Sequence, residues 1–378
     1  MIYLAFLTVL ISCVLFLQLM IRAETREQCA HWIQCLNRAA NLKIEDLWDY
    51  DGKLEFGRGR YAAVYPARRK TESFFDNRSH VDDTDTPVDR KAALAEYSCA
   101  LKIVDKAEFW RRVVKGRERA DTLVREASVQ AALTAKCGKL GTFLQIRGFF
   151  ETSENVVIEL ELLEGTDLFK HISSKGVLKE HEAALILRDI LTSLDAMNRA
   201  GLAHRDIKPA NILISEREKS GISVKVGDFG MSTFVGVDGQ ARGRCGTPGY
   251  VAPEILTGGS RAGYGNEVDV FSAGVALYVM LCGYEPFYGE NERDLIEANK
   301  RAKIEFPGED WDRISNDARD LVLKMTNVDP RQRISTKEAL QHPWITRLDG
   351  GEMPKSSSDR HVTLAAGDVP AEGACVVS

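Results

Sequence analysis

Two short segments constrain this 378-residue chain more than anything else in it. The first is His204-Arg205-Asp206-Ile207-Lys208-Pro209-Ala210-Asn211, and Asp228-Phe229-Gly230 begins 22 residues after Asp206. Moving a phosphoryl group from a nucleotide to a hydroxyl needs a carboxylate beside the attacking oxygen, a cation on the moving group, and oxygen ligands for a hard divalent metal. Asp206, Lys208 and the pair Asn211 and Asp228 are groups of these types, in the order H-R-D-x-x-x-x-N then D-F-G.

The rest of the chain adds to this pattern. Gly57-Arg58-Gly59-Arg60-Tyr61-Ala62-Ala63-Val64 lies between two strand-like runs, where glycines let backbone N–H groups approach phosphates closely. Lys102 follows within the apolar run Cys99-Ala100-Leu101-Lys102-Ile103. Its candidate acidic partner is Glu126, in Val124-Arg125-Glu126-Ala127-Ser128-Val129, with Glu118 as the second choice. Downstream stand Gly246-Thr247-Pro248-Gly249-Tyr250-Val251-Ala252-Pro253-Glu254, then Asp269 and Arg333.

Together these segments resemble the eukaryotic protein kinases, and Lys208 marks the serine/threonine type. The stretch Leu281-Cys282-Gly283-Tyr284-Glu285-Pro286-Phe287-Tyr288-Gly289 and His342-Pro343-Trp344 look most like the calcium/calmodulin-dependent group, over residues 51–345. The resemblance implies an α+β, two-lobed fold with a small β-rich first lobe and a large helical second lobe. It implies ATP and Mg²⁺ as cofactors and protein hydroxyls as substrates. Asp206 is then expected to accept the hydroxyl proton and Lys208 to neutralise the γ-phosphate, while Asn211 and Asp228 hold Mg²⁺. Gly57, Gly59, Val64, Ala100, Lys102, Glu126, Glu161 and Leu163 are expected to serve nucleotide binding. Asp269 and Arg333 match structural positions of the large lobe. Beyond the kinase pattern no basic amphipathic helix and no calcium-loop motif is visible, so neither calmodulin binding nor an EF-hand is expected.

Departures from the family pattern carry their own expectations. Ala62 stands where a third glycine is usual, which stiffens the loop. Gln130 places a polar group where the family has an apolar one, four residues after Glu126, in the spine that couples helix to core, and is expected to loosen the active position of that helix. Arg205 belongs to the kinase type that pairs this arginine with an activation-loop phosphate, yet residues 239–245 contain no hydroxyl and two further arginines. An unpaired Arg205 beside them is expected to repel the loop, and Ser232 and Thr233 are the remaining hydroxyls. Asp167 keeps one carboxylate for a basic substrate residue, whereas Ala210 lacks the second. Two rival readings stand beside an active kinase. One is a scaffold using the fold without turnover, supported by Ala62 and Gln130. The other is a small-molecule kinase, disfavoured by the shelf from Thr247 to Glu254.

Residues 1–21 are almost wholly apolar and uncharged, long enough for one pass of a ~30 Å bilayer. They are expected to anchor the chain with the kinase region facing the cytoplasm. The alternative is a soluble cytoplasmic protein whose start is an artefact. Residues 22–47 form a linker helix or a remnant of a pleckstrin-homology domain, on the strength of His31-Trp32-Ile33 and Leu36 at helical spacing. The kinase domain is expected over 48–346, interrupted by a polar insertion at 70–97, with a disordered tail over 347–378. Strands are expected at 54–56, 62–67, 99–104 and 156–161, and helices at 180–200 and 269–282. A basic cluster from Lys106 to Arg119 offers a solvated helix face or a lipid-facing one. Cys375-Val376-Val377-Ser378 fits a prenylation signal.

Composition narrows the partners. A net charge of -5 argues against nucleic acid, which calls for a basic surface. The eight cysteines show no metal-ligand spacing, so they read as reduced thiols.

Overall fold

A computed structural model describes residues 43–70, 96–217, 221–258 and 262–347. They fall into two units, one holding residues up to Lys115 with Arg147–Leu162, the other Gly116–Ile146 with residues from Leu163 onward.

The first unit is a sheet of six strands: β1 (Trp48–Tyr50), β2 (Gly57–Arg58), β3 (Ala62–Arg69), β4 (Cys99–Asp105), β5 (Ile146–Glu151) and β6 (Asn155–Glu161). The order is β1-β3-β4-β6-β5, with β2 also on β3. Side chains alternate across a strand, so Cys99 and Leu101 of β4 share one face and pack with Ile44, Trp48, Ala67 and Val157. Lys102 falls on the opposite face, paired in register with Val64 of β3 and Ile158 of β6. Asp105 ends β4 and caps the helix Lys106–Val114 by accepting from the Glu108 N–H, and that helix buries Phe109.

Strands expected at 62–67, 99–104 and 156–161 are present, each somewhat longer. Residues 54–56 are a loop, because the Asp51-Gly52-Lys53 turn uses the chain just before them. Phe56 donates its N–H to Val64, and pairing in strand form begins at Gly57. β1 and β5 were not legible as strands.

The second unit is mostly helical. Its central helix, Glu267–Cys282, is apolar on nearly every side and buried almost throughout, so other elements surround it. Gly274 permits the closest approach: a Cβ there would lie 2.7 Å from Cβ of Met325. The helix Glu180–Arg199 lies against the same core, and Glu180 at its start accepts from Ser315 and from the Trp344 indole at 2.7 Å. These two helices stand where the sequence places them, within two residues at each end. The helix Thr122–Cys137 belongs to this unit, contributing Val129 and Leu133 to the core.

Short strands complete the unit. β7 (Thr166–Asp167), β9 (Ile212–Arg217) and β10 (Gly221–Val226) form one sheet. β8 (Leu202–Ala203) pairs with β11 (Thr233–Phe234), and β12 (Ala241–Arg242) with β13 (Gly263–Tyr264). The antiparallel pair β9 and β10 separates the two motif segments, and Gly227 alone stands between the end of β10 and Asp228.

Residues 1–21, most of the linker at 22–47, most of the insertion at 70–97 and nearly all of the tail at 347–378, Cys375 included, lie outside the described residues. Among the described residues no helix is long and apolar enough to cross a membrane.

Candidate active site

Asp206 is the hub of the helical unit's polar cluster. Its Oδ1 accepts from Thr247 Oγ1 at 2.6 Å. Its Oδ2 lies 3.1 Å from Lys208 Nζ and 3.0 Å from Asn211 Nδ2. Lys208 Nζ also donates to Thr247 Oγ1 at 2.7 Å, which closes a triangle of carboxylate, ammonium and hydroxyl. Asp206 and Asn211 are buried, and charge-assisted contacts of this kind fix side chains firmly.

The loop is held from beneath. Arg205 adopts a left-handed backbone, φ 68°, which turns the chain so that its N–H and that of His204 both point at Asp269. Asp269 accepts them at 2.7 and 2.8 Å from the first turn of the central helix. Burial raises the Asp269 carboxyl above its usual range, and His204 and Arg205 partly offset this. Arg333 makes a two-pronged contact with Glu254, 2.7 and 3.0 Å, with its guanidinium 5.1 Å from the Phe271 ring centre. The structural parts expected of Asp269 and Arg333 agree with these positions.

Asp228 also has a left-handed backbone, φ 52°, and is solvent-accessible, while Phe229 beside it is buried against His204 and Phe143. His204 reaches Gly227 O at 3.1 Å, which ties the two motif segments together. Gly230 is flanked by both remaining acids: a Cβ there would lie 3.3 Å from Asp228 Oδ1 and 3.7 Å from Glu126 Oε2. Glu126 is buried on the helix Thr122–Cys137. Glu118, the second choice, instead accepts from Thr122 Oγ1 at 2.8 Å before that helix begins.

In the sheet unit, Gly57 and Gly59 are exposed, and Gly59 N–H bonds Ala62 O at 2.7 Å. That turn delivers Ala62 into β3, opposite Val104. Val64, Ala100, Lys102 and Glu161 lie on the adjoining strands β3, β4 and β6. Leu163 belongs to the helical unit.

Two expectations are overturned. Gln130 does not loosen its helix: it is buried, and its amide donates to Leu144 O at 2.8 Å, fastening the helix to the following loop. Nor does Arg205 repel its neighbours. Its guanidinium donates to Met231 O (2.8 Å), Arg242 O (3.0 Å) and Tyr264 Oη (3.1 Å). Arg242 pairs with Asp238, and Arg244 points away to Gly258 O. Carbonyl oxygens thus take the place that the sequence left to a phosphate.

Sequence reasoning gave no part to Tyr264, Asn299 or Glu285. Asn299 is fully buried and pins the shelf, accepting from Gly249 N at 3.0 Å and donating to Val251 O at 2.9 Å. Asn299 stands four and three residues after Leu295 and Ile296, on the apolar side of the helix Glu292–Arg301, and that was the available signal.

In the basic cluster, acids compensate four cations: Lys106 meets Glu151 at 2.7 Å, Arg111 and Arg112 meet Glu108, and Arg119 meets Asp121.

Comparison with known proteins gives the same reading. The model of the protein kinase domain family matches residues 89–345. Myosin light chain kinase A of Dictyostelium discoideum is 31% identical over 296 residues, which is 78% of this chain and 88% of that protein. Calcium/calmodulin-dependent protein kinase type 1 of Macrobrachium nipponense is 37% identical over 247 residues, 65% of this chain and 67% of the relative. The probable serine/threonine-protein kinase fhkC of D. discoideum is 37% identical over 247 residues, but the aligned part spans only 40% of its length. The chain belongs to the protein kinase family and is similar to its serine/threonine kinases of the calcium/calmodulin-dependent kind.

Proposed function

We propose that this chain transfers the γ-phosphoryl group of ATP to serine or threonine hydroxyls of proteins. The observation that supports this most is the Asp206–Lys208–Thr247 triangle, with Asn211 closing its far side. A carboxylate has about four acceptor sites, so Asp206 can receive a substrate hydroxyl while keeping its present contacts. It would then hold the proton that leaves as the oxygen attacks. Lys208 is oriented by Thr247 and would neutralise charge on the phosphoryl oxygens. In the sheet unit, Lys102 would bind the nucleotide phosphates, and Gly57 and Gly59 would present backbone N–H groups to them.

The donor set fits Mg²⁺. Asn211 commits its amide nitrogen to Asp206, which leaves its oxygen as a ligand, and Asp228 is an accessible carboxylate. Both are hard oxygen donors. Bound there, the metal would offset negative charge on the nucleotide phosphates.

The scaffold reading loses one of its supports, because Gln130 is a satisfied structural residue. Membrane attachment and the domain limits 48–346 are part of the proposal, resting on sequence alone. The test is phosphate transfer from Mg·ATP to protein or to the chain itself. Asp206→Asn should lower it by about 10²–10⁴-fold with the unfolding midpoint little changed. Equal rates for the two proteins would overturn the reading.

A further inference from the structure

Glu285 stands in the loop after the central helix, and its carboxylate lies against the backbone of the shelf. Gly249 has φ +90°, and a Cβ there would come within 2.9 Å of Glu285 Oε2. The Gly249 N–H donates to Asn299 Oδ1 at 3.0 Å, which ties the shelf at this point. The Tyr250 hydroxyl donates to the same carboxylate. Among the described residues Lys208 is the one cation that acts on Glu285, and Lys208 is already committed to Thr247 and Asp206. The side chain is exposed, and the protein around it pushes its carboxyl above the usual range.

Two other acids of this unit are differently placed. Asp167 caps the helix Leu168–Lys175 through the Lys170 N–H at 2.8 Å, and Lys170 Nζ lies 3.1 Å away. Asp206 is held on three sides. Glu285 is thus an accessible carboxylate with no cation of its own, beside the shelf and within electrostatic reach of Lys208.

We propose that Glu285 reads the substrate, taking a lysine or arginine side chain next to the serine or threonine that is phosphorylated. The inference rests on the kinase reading above. A peptide whose hydroxyl reaches Asp206 must lie over the shelf, and a cation on it gains a charge-assisted contact with a carboxylate that lacks one. Its place is set by the backbone at Gly249, where any side chain would displace Glu285. The hydrogen bond from Tyr250 holds the carboxylate in position, so little ordering cost falls on binding.

The test uses the full chain and arrayed peptides with one Ser or Thr, placing Arg, Lys, Gln or Glu at each flanking position. The wild type should favour Arg or Lys over Gln at one adjacent position by about tenfold in kcat/KM, and added salt should erode the preference. Glu285→Gln is nearly isosteric and can still accept from Tyr250, so a purely structural part for Glu285 would leave its profile unchanged. The expected result is a preference at that position reduced to about twofold, and Glu285→Lys should favour Glu there. If Glu285→Lys does not fold, the Gln variant decides alone. A wild-type profile in the Gln variant, or no basic preference in the wild type, overturns the proposal. Absence of transfer to any peptide or to the chain itself overturns the kinase reading and this inference with it.

Discussion

The Arg205 site makes a demanding prediction, because removing one oxygen atom tests it. In Tyr264→Phe the ring remains and the hydroxyl goes. That hydroxyl accepts from Arg205 Nη1 at 3.1 Å, donates to Gly243 O at 2.6 Å and lies 3.7 Å from Cys245 Sγ. Tyr264 is buried, and burial raises its pKa, so it is a neutral donor throughout the physiological range. Arg205 keeps the carbonyls of Met231 and Arg242, whereas Gly243 O loses its donor. One charge-assisted bond and one orphaned carbonyl together amount to about 2–3 kcal/mol.

The loss falls on the stretch from Met231 to Thr247, which leads into the shelf. If it opens locally, amide hydrogen exchange there should speed up by roughly 30-fold or more, while the central helix is unaffected. Phosphate transfer should fall, because Thr247 and its contact with Asp206 lie at the end of that stretch. Phosphatase treatment of the wild type should leave activity intact. Neither alternative hydroxyl is well placed for modification: Ser232 is fully buried and donates to His204 O at 3.3 Å, and Thr233 is paired with Ala203 in β11. Unchanged exchange in Tyr264→Phe would refute the reasoning. So would activity abolished by phosphatase and restored by phosphate at Ser232 or Thr233.

Three further outcomes are expected. Lys102→Met should remove phosphate transfer without altering the unfolding midpoint, and a well-folded variant with normal turnover would show that Lys102 has another part. Gln130→Leu should destabilise by about 1–3 kcal/mol in chemical denaturation, because the Leu144 carbonyl loses its donor; a more stable protein would contradict this. Hydrogen bonds from Lys324 and His342 hold the Asp320 carboxyl below its usual range. Its stabilising effect is complete above the ordinary carboxylate value, about pH 4, and fades as pH falls through the lowered one. Asp320→Asn should therefore flatten the acid limb of the stability curve, and a limb as steep as in the wild type would assign the loss to other groups.

What the sequence showed and what it hid divide along physical lines. Asp206, Lys208 and Asn211 were legible as a candidate site, which the fold brings together, because few side chains suit the chemistry of phosphoryl transfer. The two long helices were legible because apolar periodicity over many residues marks a buried face. β1 and β5 were not: the first is three residues long, and the second, Ile146-Arg147-Gly148-Phe149-Phe150-Glu151, has a glycine inside it. That glycine has a reason only in three dimensions, since a Cβ there would meet the Phe150 ring at 2.5 Å. Glu285 was visible as a letter in a family motif, but its reach to Gly249 and Tyr250 depends on a backbone turn that no local pattern shows.

Arg205 shows how a sound premise can give a wrong intermediate step. Counting charges along residues 239–245 leaves cations and no phosphate, and between point charges that means repulsion. In the folded chain Arg242 turns to Asp238 and Arg244 to Gly258, so neither guanidinium faces Arg205. Backbone carbonyls carry no formal charge and are invisible to such a count, yet each is a strong acceptor. Two of them and a phenol surround a buried guanidinium here with the directional contacts a phosphate would give, at no cost in added charge. Burial works against the charged guanidinium, while the hydrogen bond to the Tyr264 hydroxyl and the Asp269 carboxylate favour it. The arginine that resembles a phosphate sensor is therefore occupied from within. Tyr264, which the sequence gave no reason to notice, is the side chain through which that occupancy can be broken.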